Sequence, residues 1–345
     1  MQTISSSVWY LKISNLPKTI MRAILHQTGS ETLRLGEHPA PDPGPSDLLI
    51  KVAATALNRA DIMQRKGNYP PPAGASPILG LEVAGTVAAV GDEVNSWELG
   101  DRVCGLLAGG GYAEYAVLHE DMALPVPEQM DWTVAGAIPE TFLTAYQALF
   151  TIAGLREGER VLLHAGASGV GTAAIQLARL AGAEVLVTAS APKHDLCRKL
   201  GASQTIDYRQ EDFAEAIAEY TTNKGVDVIV DVIGVPYFRQ NIDALATDGR
   251  MVLLAFMGGH RIPDASLIPV LMKRLTITGS TLRARPLSYK IKLTQDFRAF
   301  AWQAIIDGKV APVIDSVFDW TEAEQAHQRM EANANAGKIV LRVTE

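Results

Sequence analysis

The spacing of apolar positions changes twice along the chain. From about residue 21 to 145, short β-branched segments alternate with turns rich in Pro and Gly, such as PAPDPGPSD, YPPPAGASP and AGGGY. Four of the segments predict strands: Asp47–Leu57, Leu81–Val90, Asp101–Leu107 and Tyr112–Leu118. Short strands separated by such turns are typical of a β-barrel or β-sandwich. The first stretch is therefore predicted to be mostly β.

Between about residues 157 and 280, apolar runs alternate with helical stretches. Six runs predict strands: Arg160–His164, Glu184–Ala189, Ser203–Asp207, Val226–Ile233, Arg250–Phe256 and Leu275–Gly279. Five stretches predict helices: Gly171–Ala181, Pro192–Leu200, Asp212–Thr221, Tyr237–Ala246 and Ser266–Arg274. This alternation builds a parallel sheet with helices on both faces. Six strands are enough for a complete dinucleotide-binding fold with two mononucleotide-binding halves.

From about residue 285 the pattern returns to short, amphipathic strands. A long helix is predicted over Tyr289–Asp307, followed by a strand (SVFDW), a helix (TEAEQAHQRMEAN) and a strand (KIVLRV). We expect this tail to rejoin the first stretch. The prediction is an α/β protein in which residues 21–145 and 286–345 form one domain. Residues 146–285 form an inserted Rossmann domain with a doubly wound parallel sheet.

Charge and composition exclude several classes of function. The chain has 31 basic and 38 acidic residues, which disfavours a protein that binds nucleic acid or an anionic membrane. No apolar run approaches the roughly 20 residues that span a bilayer. Residues 1–20 lack the apolar centre of a signal peptide and are interpreted as an N-terminal extension. Cys104 and Cys197 form no C-x-x-C pair, so we expect a reducing, cytoplasmic location.

A glycine-rich segment carries the clearest functional signal. The sequence VLLHAGASGVGTAAIQLARLAGA, over Val161–Ala183, runs from an apolar strand into an Ala/Leu-rich helix. Small residues there allow a tight turn, close approach of the backbone to a pyrophosphate, and close packing of helix on sheet. The spacing is G-x-x-G-x-G rather than the commoner G-x-G-x-x-G. The predicted cofactor-binding residues of this turn are Gly166, Ser168, Gly169, Val170 and Gly171.

The residues after the second predicted strand indicate which nicotinamide cofactor binds. An NAD enzyme usually has Asp or Glu at this point for the ribose hydroxyls. Here Ser190 and Lys193 follow the strand, and no acid occurs before Asp195. A hydroxyl and an ammonium group can bind the 2′-phosphate, and Tyr208 after the third strand can close the same pocket. The sequence favours NADPH over NADH.

These residues, with LNRADIMQRKGNYPPPAGASPILGLEVAG over Leu57–Gly85, AIPETFLTAYQAL and the closing NAGKIVL, resemble the zinc-free quinone oxidoreductases of the medium-chain dehydrogenase/reductase superfamily. The likeness extends from about Met21 to the C-terminus and is greatest to the tumour-suppressor-induced branch; zeta-crystallin is more distant. The resemblance implies a GroES-like catalytic domain, an inserted NADPH domain and a cleft between them. It also implies homodimers or homotetramers formed by edge pairing of the nucleotide-binding sheets.

The chain departs from the zinc-dependent members of that superfamily. Those enzymes carry a catalytic Cys early in the first domain and a G-H-E motif later. The corresponding positions here read Asn58-Arg59-Ala60-Asp61 and Gly80-Leu81-Glu82, and the four-Cys structural zinc lobe is absent. Catalytic zinc needs three side-chain ligands around an open position. We therefore expect no metal, and we interpret Glu82 as a structural partner.

A quinone needs less catalytic help than an alcohol, because it is already electrophilic. Positioning the nicotinamide against it supplies much of the acceleration. By resemblance, Asn58 contacts the nicotinamide ribose or the substrate, and Tyr69 in the Pro-rich loop can donate a hydrogen bond or proton. Water is the alternative proton donor. Further cofactor contacts implied by the resemblance are Thr144, Ile233, Phe256 and Lys338.

The sequence predicts an NADPH-dependent reductase of quinones or similar conjugated carbonyl compounds, and it leaves two other readings open. One is reduction of an activated C=C bond in an enone, enal or enoyl thioester, which uses the same cofactor geometry. The other is a binding or structural protein regulated by NADPH. The acidic balance and the lack of a stripe of Arg and aromatic residues argue against RNA as a partner.

Overall fold

The structure is a computed structural model that describes residues 20–27, 29–30, 32–262 and 266–343. The predicted N-terminal extension lies, apart from Ile20, outside the described residues. The described chain forms a two-stranded sheet, a seven-stranded sheet and a six-stranded sheet. The two strands of the smallest sheet, β1 (Ile20–Leu25) and β2 (Arg34–Pro39), are antiparallel.

The seven-stranded sheet combines strands from both ends of the described chain. Five come from the first part: β3 (Asp47–Ala56), β4 (Glu82–Val90), β5 (Arg102–Leu106), β6 (Tyr115–His119) and β7 (Leu124–Pro125). The other two are β14 (Ile314–Asp319) and β15 (Lys338–Arg342). The strand order is β14-β15-β3-β4-β5-β7, with β6 also paired to β3. Because β15 is antiparallel to β3, with Val340 opposite Ala56, the tail completes the sheet that the first stretch begins.

The six-stranded sheet is parallel throughout, with the order β10-β9-β8-β11-β12-β13. Its strands are β8 (Arg160–Leu163), β9 (Glu184–Ala189), β10 (Gln204–Asp207), β11 (Val226–Asp231), β12 (Leu245–Leu253) and β13 (Thr276–Gly279). In order of sequence this is 3-2-1-4-5-6, the doubly wound arrangement with a reversal beside the first strand. The predicted α/β class with a doubly wound parallel sheet is confirmed.

Eleven α-helices occur among the described residues. Three precede the parallel sheet: α1 (Arg59–Arg65), α2 (Trp132–Ala135) and α3 (Pro139–Tyr146). Five connect its strands: α4 (Gly169–Leu180), α5 (His194–Leu200), α6 (Phe213–Tyr220), α7 (Phe238–Ala244) and α8 (Ile268–Met272). Three follow it: α9 (Leu287–Phe297), α10 (Gln303–Ile306) and α11 (Ala323–Glu331).

The structure differs from several predicted boundaries. The strand predicted over Tyr112–Leu118 begins at Tyr115, and Leu245–Ala246, predicted as the end of a helix, belong to β12. The register of β12 against β11 shifts where Val226 lies opposite Leu245 and Val228 opposite Arg250, so a bulge lengthens β12. The predicted long helix is α9 joined to α10 by a π-helical segment, Arg298–Trp302. Such segments are rare and short, so the pattern of a long helix does not predict them.

Candidate functional site

The carboxyl ends of the parallel strands bring the predicted nucleotide-binding residues to one edge of the sheet. The glycine turn follows β8, Ser190 and Lys193 follow β9, and Tyr208 follows β10. Ile233 and Phe256 follow β11 and β12 on the other side of β8. Ligands of doubly wound sheets bind at this edge, beside the strand where the order reverses. The row of strand ends therefore runs from Tyr208 through the glycine turn to Phe256.

The turn between β8 and α4 allows no side chain at two of its glycines. A Cβ on Gly171 would lie 2.4 Å from the carbonyl oxygen of Ala165, and one on Gly166 would lie 2.7 Å from the Cβ of Val187. Ser168 caps α4, since its Oγ accepts a hydrogen bond from the Gly171 backbone N–H at 3.0 Å. Close packing inside the turn, rather than positive φ at these glycines, fixes their identity.

The start of α4 keeps a backbone donor for a ligand. Ser168 forms an isolated parallel bridge with Gly337, but the N–H of Val170 in the first helical turn has no acceptor among the described residues. Helix starts leave such donors free, and the aligned peptide dipoles add a partial positive charge there. An anion at this position would satisfy the donor. The turn thus fits the phosphate groups of a dinucleotide.

Two cations lie at the ends of β9 and β10. The ammonium of Lys193 donates to the Asn335 carbonyl oxygen at 2.7 Å, which ties it to the segment leading into β15. Burial, assisted by the positive charge of Arg209, lowers the pKa of Lys193. The Arg209 guanidinium lies 5.7 Å from the centroid of the Tyr208 ring. The edge therefore carries positive charge where the sequence lacks an acid.

The loops after β11 and β12 are held to each other and to a buried polar network. The N–H of Gly258 donates to the Ile233 carbonyl at 2.8 Å. The N–H of Ile233 donates to Asp231 Oδ1 at 2.6 Å. His164, whose pKa burial lowers to about 4, contacts Asn241, which in turn donates to Asp231 Oδ2 at 3.1 Å. The neutral imidazole and its partners fix the loop that carries Ile233.

A buried ion pair links the seven-stranded sheet to the glycine turn. The ammonium of Lys338 lies 2.6 Å from Glu82 Oε1, 2.7 Å from Asn58 Oδ1 and 2.8 Å from the Leu57 carbonyl oxygen. Lys338 is 3% exposed, and Glu82 is completely buried. All three ammonium protons have an acceptor, so the charge of Lys338 serves this cluster. The Lys338 stem lies 2.9 Å from where a Cβ of Gly169 would be.

Asn58 occupies the junction between β3 and α1. Its side-chain Nδ2 donates to Glu82 Oε1 at 2.8 Å and to the Ala56 carbonyl at 3.2 Å. Its backbone N–H donates to Asp61 Oδ2 at 2.8 Å, so Asn58 and Asp61 form a capping box at the start of α1. Both amide hydrogens of Asn58 are therefore engaged within the protein, and its side chain positions Lys338 and Glu82.

Glu140 and Thr144 lie one turn apart on α3, beside this cluster. The Thr144 hydroxyl donates to Glu140 Oε1 at 3.3 Å, and the Glu140 backbone N–H donates to Glu82 Oε2 at 2.9 Å. Burial, with the negative charge of Glu82, raises the pKa of Glu140 to about 7. A carboxyl of this kind exchanges a proton near neutral pH.

Tyr69 and Arg283 lie close enough to Glu140 to interact with it electrostatically. The Arg283 guanidinium lies 5.4 Å from the centroid of the Tyr69 ring, and its Nη2 donates to Gln64 Oε1 at 2.7 Å. Burial, and the negative charge of Glu140, raise the pKa of Tyr69. The Pro-rich loop, α1 and the segment after β13 therefore border the same space as α3.

Sequence reasoning missed Glu140, Arg283 and Arg209 as members of this site. Glu140 stands in the segment AIPETFLTAYQAL, where an acid between Pro and Thr at the start of a helix reads as an ordinary helix-start residue. Arg209 directly follows Tyr208, so the absence of an acid after β9 was the signal to search the next strand end for a second cation. The residues around Arg283 in the sequence do not indicate a role for it, because its partners are distant in the chain.

Two further features of the described residues bear on metal binding and on membrane insertion. In the part of the chain that the structure describes, no group of three or more His, Cys, Asp and Glu side chains is arranged to hold a metal ion. Within the same residues, no helix has both the length and the apolar character needed to cross a bilayer.

Comparison with known families identifies both halves of the fold. The family model described as the alcohol dehydrogenase GroES-like domain matches residues 44–128, and that of the zinc-binding dehydrogenases matches residues 169–306. Quinone oxidoreductase from Rattus norvegicus is 31% identical over 328 residues, which are 93% of this chain and 98% of the rat protein. The predicted GroES-like domain with an inserted Rossmann domain is thereby confirmed.

Solved structures give the same result. A mycobacterial protein complexed with NADPH has a TM-score of 0.83 and 30% identity, covering 94% of this chain and 100% of that one. The enoyl reductase of CurK has the same TM-score and identity, covering 94% and 99%. A phenolphthiocerol/phthiocerol polyketide synthase polypeptide of Mycobacterium tuberculosis is 30% identical over 97% of this chain. The chain spans only 15% of the length of that relative.

Proposed function

This chain belongs to the quinone oxidoreductase-like proteins of the medium-chain dehydrogenase/reductase superfamily, which are NAD(P)H-dependent oxidoreductases, and we propose that it reduces quinones with NADPH without a metal ion. The observation that carries the proposal is the β8–α4 turn, where a free backbone N–H group at a helix start lies at the edge on which the strand-end residues converge. NADPH, when bound, supplies a hydride.

The proposed nucleotide site uses the whole row of strand ends. Gly166, Ser168, Gly169, Val170 and Gly171 bind the pyrophosphate through the backbone and the start of α4. Ile233, Phe256 and Thr144 border the nicotinamide, and Asn58 approaches its ribose. Lys338 contributes through its stem, which packs on the turn at Gly169, while its ammonium holds Glu82 and Asn58 in place.

The choice of NADPH over NADH rests on charge. Ser190 and Lys193 follow β9 where a carboxylate would otherwise bind ribose hydroxyls, and Tyr208 lies at the neighbouring strand end. Arg209 adds a second positive charge, which is close enough to lower the pKa of Lys193. A 2′-phosphate would be attracted to these groups, and a carboxylate-free pocket gives NADH no compensating contact.

Zinc independence is supported by the position of an ammonium group. Lys338 places its positive charge 2.6 Å from Glu82 and 2.7 Å from Asn58. A divalent cation bound to the same oxygens would be repelled by this charge, which burial leaves unscreened. Glu82 and Asn58 are thus satisfied as acceptors without a metal.

Quinones are favoured over activated C=C bonds because Asn58 is not free to stabilise the oxyanion that develops when an enone is reduced. Both amide hydrogens of Asn58 are engaged, whereas a quinone spreads the incoming charge into its ring. The enoyl reductase among the similar structures favours the second reading, reduction of an enone, enal or enoyl thioester. The two reactions would use one nucleotide site and differ in the acceptor.

The test is a titration followed by an acceptor screen. Fluorescence titration is expected to give a dissociation constant for NADPH well below that for NADH. NADPH consumption is then measured with 1,2- and 1,4-quinones beside enones and enoyl thioesters, with and without a chelator. Turnover of quinones that the chelator leaves unchanged supports the proposal. Tight NADPH binding without turnover of any acceptor would favour the regulated binding protein.

We further propose a homodimer formed through the edge of the parallel sheet. Among the described residues, β13 pairs only with β12, so its other edge is open. The preceding helix exposes apolar side chains, with Leu271 76% and Met272 70% exposed. Open strand edges and apolar patches of this kind are stabilised by a partner.

A further inference from the structure

Two of the three carboxyl groups that interact electrostatically with the Lys338 ammonium are enclosed by the protein. Asp61 and Glu82 are both completely buried. The oxygens of Asp61 accept from the backbone N–H groups of Gly80 at 2.9 Å and Asn58 at 2.8 Å. Those of Glu82 accept from Lys338, Asn58 and the backbone of Glu140. Their hydrogen bonds hold both groups as fixed acceptors.

Glu140 differs from these two carboxyls in its burial and in the hydrogen bonds that its oxygens accept. It is partly exposed, at the start of α3. Its Oε1 accepts one long hydrogen bond from Thr144, and its Oε2 has no donor among the described residues. The second oxygen is therefore available to a molecule in the cleft, and the first is held by a hydroxyl one turn along the helix.

The groups that face Glu140 come from six different segments of the chain. They are Asp61 on α1, Tyr69 in the Pro-rich loop, Glu82 on β4, Arg283 after β13, Lys290 on α9 and Lys338 on β15. Burial and the nearby carboxylates raise the pKa of Glu140 to about 7, although Lys338 opposes them. Glu140 therefore takes up and releases a proton near neutral pH.

We propose that Glu140 is the general acid of this site and donates the proton that completes reduction of the acceptor. This inference rests on the proposed function. A quinone that has accepted a hydride, with its two electrons, is a hydroquinone monoanion. Transfer of the Glu140 proton to its oxygen gives the neutral hydroquinone and leaves a carboxylate, which takes a proton back from water. Glu140 is partly exposed, so water can reach this residue.

The other candidate donors are less suitable. Burial raises the pKa of Tyr69 further from neutrality, so its phenol is a weaker acid than the Glu140 carboxyl. The amide hydrogens of Asn58 are held by Glu82 and the Ala56 carbonyl. General acids act best when their pKa lies near the working pH, and Glu140 meets that condition.

The experiment compares Glu140→Gln with Tyr69→Phe, using Glu219→Gln on the exposed face of α6 as the matched control. Glu140→Gln is expected to lower kcat for a 1,4-quinone about 100-fold and to leave the NADPH dissociation constant within about threefold of wild type. Wild-type kcat should fall as pH rises above about 7, because the acid form disappears, and this limb should be absent in Glu140→Gln. Tyr69→Phe should retain the limb and lose less than about tenfold.

Thermal unfolding gives a readout that needs no substrate. The wild-type fold keeps Glu140 protonated at pH values where the unfolded chain, with a pKa of 4.5, is ionised. The fold therefore loses stability as pH rises from 4.5 to about 7, and Glu140→Gln avoids that loss. The Tm of Glu140→Gln should exceed that of wild type above pH 7, and the difference should shrink towards pH 4.5.

Four outcomes test whether Glu140 is the general acid. The loss of turnover and of the pH limb in Glu140→Gln, together with the pH-dependent Tm difference, supports the general acid. Near wild-type turnover in Glu140→Gln, or a limb that disappears only in Tyr69→Phe, overturns it. A Tm difference that does not vary with pH also overturns it, because Glu140 would not titrate as required. A wild-type protein that reduces no quinone rejects the proposed function instead.

Discussion

In the proposed nucleotide site, the choice between NADPH and NADH depends on Lys193. We expect Lys193→Ala to raise the KM for NADPH about 10- to 100-fold, since a charge-assisted hydrogen bond contributes about 1.5–3 kcal/mol. The KM for NADH, which lacks the 2′-phosphate, should change little. Steady-state kinetics with both nucleotides measure the difference.

Lys199→Ala is the control for Lys193→Ala. It removes the same charge from the exposed side of α5, away from the strand ends. An equal rise in KM for NADPH and NADH after Lys193→Ala would reject the role assigned to Lys193.

The Lys338–Glu82 ion pair is a second residue-scale feature whose effect can be isolated. Lys338→Met leaves a buried carboxylate without its partner, and such losses cost about 3–5 kcal/mol of unfolding free energy. Chemical denaturation measures the loss.

The double variant Lys338→Met with Glu82→Gln should recover part of that loss, because the uncompensated charge is gone. A double variant no more stable than Lys338→Met alone would show that the charge of Glu82 is not the source of the destabilisation.

At the residue scale, the sequence predicts roles for those residues whose role can be inferred from their neighbours in the chain. Ser190 and Lys193 could be proposed from the sequence because they directly follow the second predicted strand, where an NAD enzyme usually has Asp or Glu. Glu140 was not, because its pKa depends on Glu82 and Lys338, which lie far away in the chain and meet it only in the fold. No pattern within one segment contains that information.

The glycine turn and α4 act as one element. Gly171→Ala would place a Cβ 2.4 Å from the Ala165 carbonyl oxygen, so the turn must open for the substitution to fit. We expect NADPH affinity to fall at least about 10-fold, as the N–H group of Val170 moves out of position. Isothermal titration calorimetry measures the affinity.

Gly279→Ala adds the same methyl group where nothing lies within 4 Å, and it serves as the matched substitution. If Gly171→Ala bound NADPH as tightly as Gly279→Ala, the pyrophosphate would have to bind elsewhere.

Elements with a strong period were predicted well, and short ones were not. The strands of the parallel sheet could be predicted because they are continuous apolar runs flanked by helices. The start of β12 was assigned to the preceding helix because Leu245 and Ala246 continue its apolar spacing, and only the bulge against β11 makes them a strand. Helices α1 and α2 have seven and four residues, too few to show a helical period, so the first stretch was interpreted as mostly β.

At the scale of the whole molecule, the proposed homodimer depends on the open edge of β13. We expect the double substitution Leu271→Asp with Met272→Asp to convert a dimer into a monomer, since two charges would be buried between the copies. Sedimentation velocity measures the change.

Leu99→Asp provides the comparison, because Leu99 is similarly exposed, at 68%, but lies outside the parallel sheet. A double variant that sediments like wild type and Leu99→Asp would exclude this edge as the interface.

The whole-molecule arrangement was predictable because the final strands resemble the first ones in length and amphipathic pattern. The strands and side chains with which these final strands pair were not predictable. Nothing in the local sequence of β15 shows that it pairs with β3 or that Lys338 reaches Glu82. Those contacts form only when β15 joins the seven-stranded sheet beside β3.

The pairing of β15 with β3 has a consequence for biosynthesis. As the nascent polypeptide leaves the ribosome, β3 emerges long before β15, and the inserted unit, whose neighbouring strands are closer in sequence, can fold in between. Until β15 arrives, the part of β3 from Ala54 to Ala56 lacks its partner strand on the side that β6 does not cover, and Glu82 has no counter-cation. Premature termination after the inserted unit would therefore leave an aggregation-prone intermediate that chaperones must shelter.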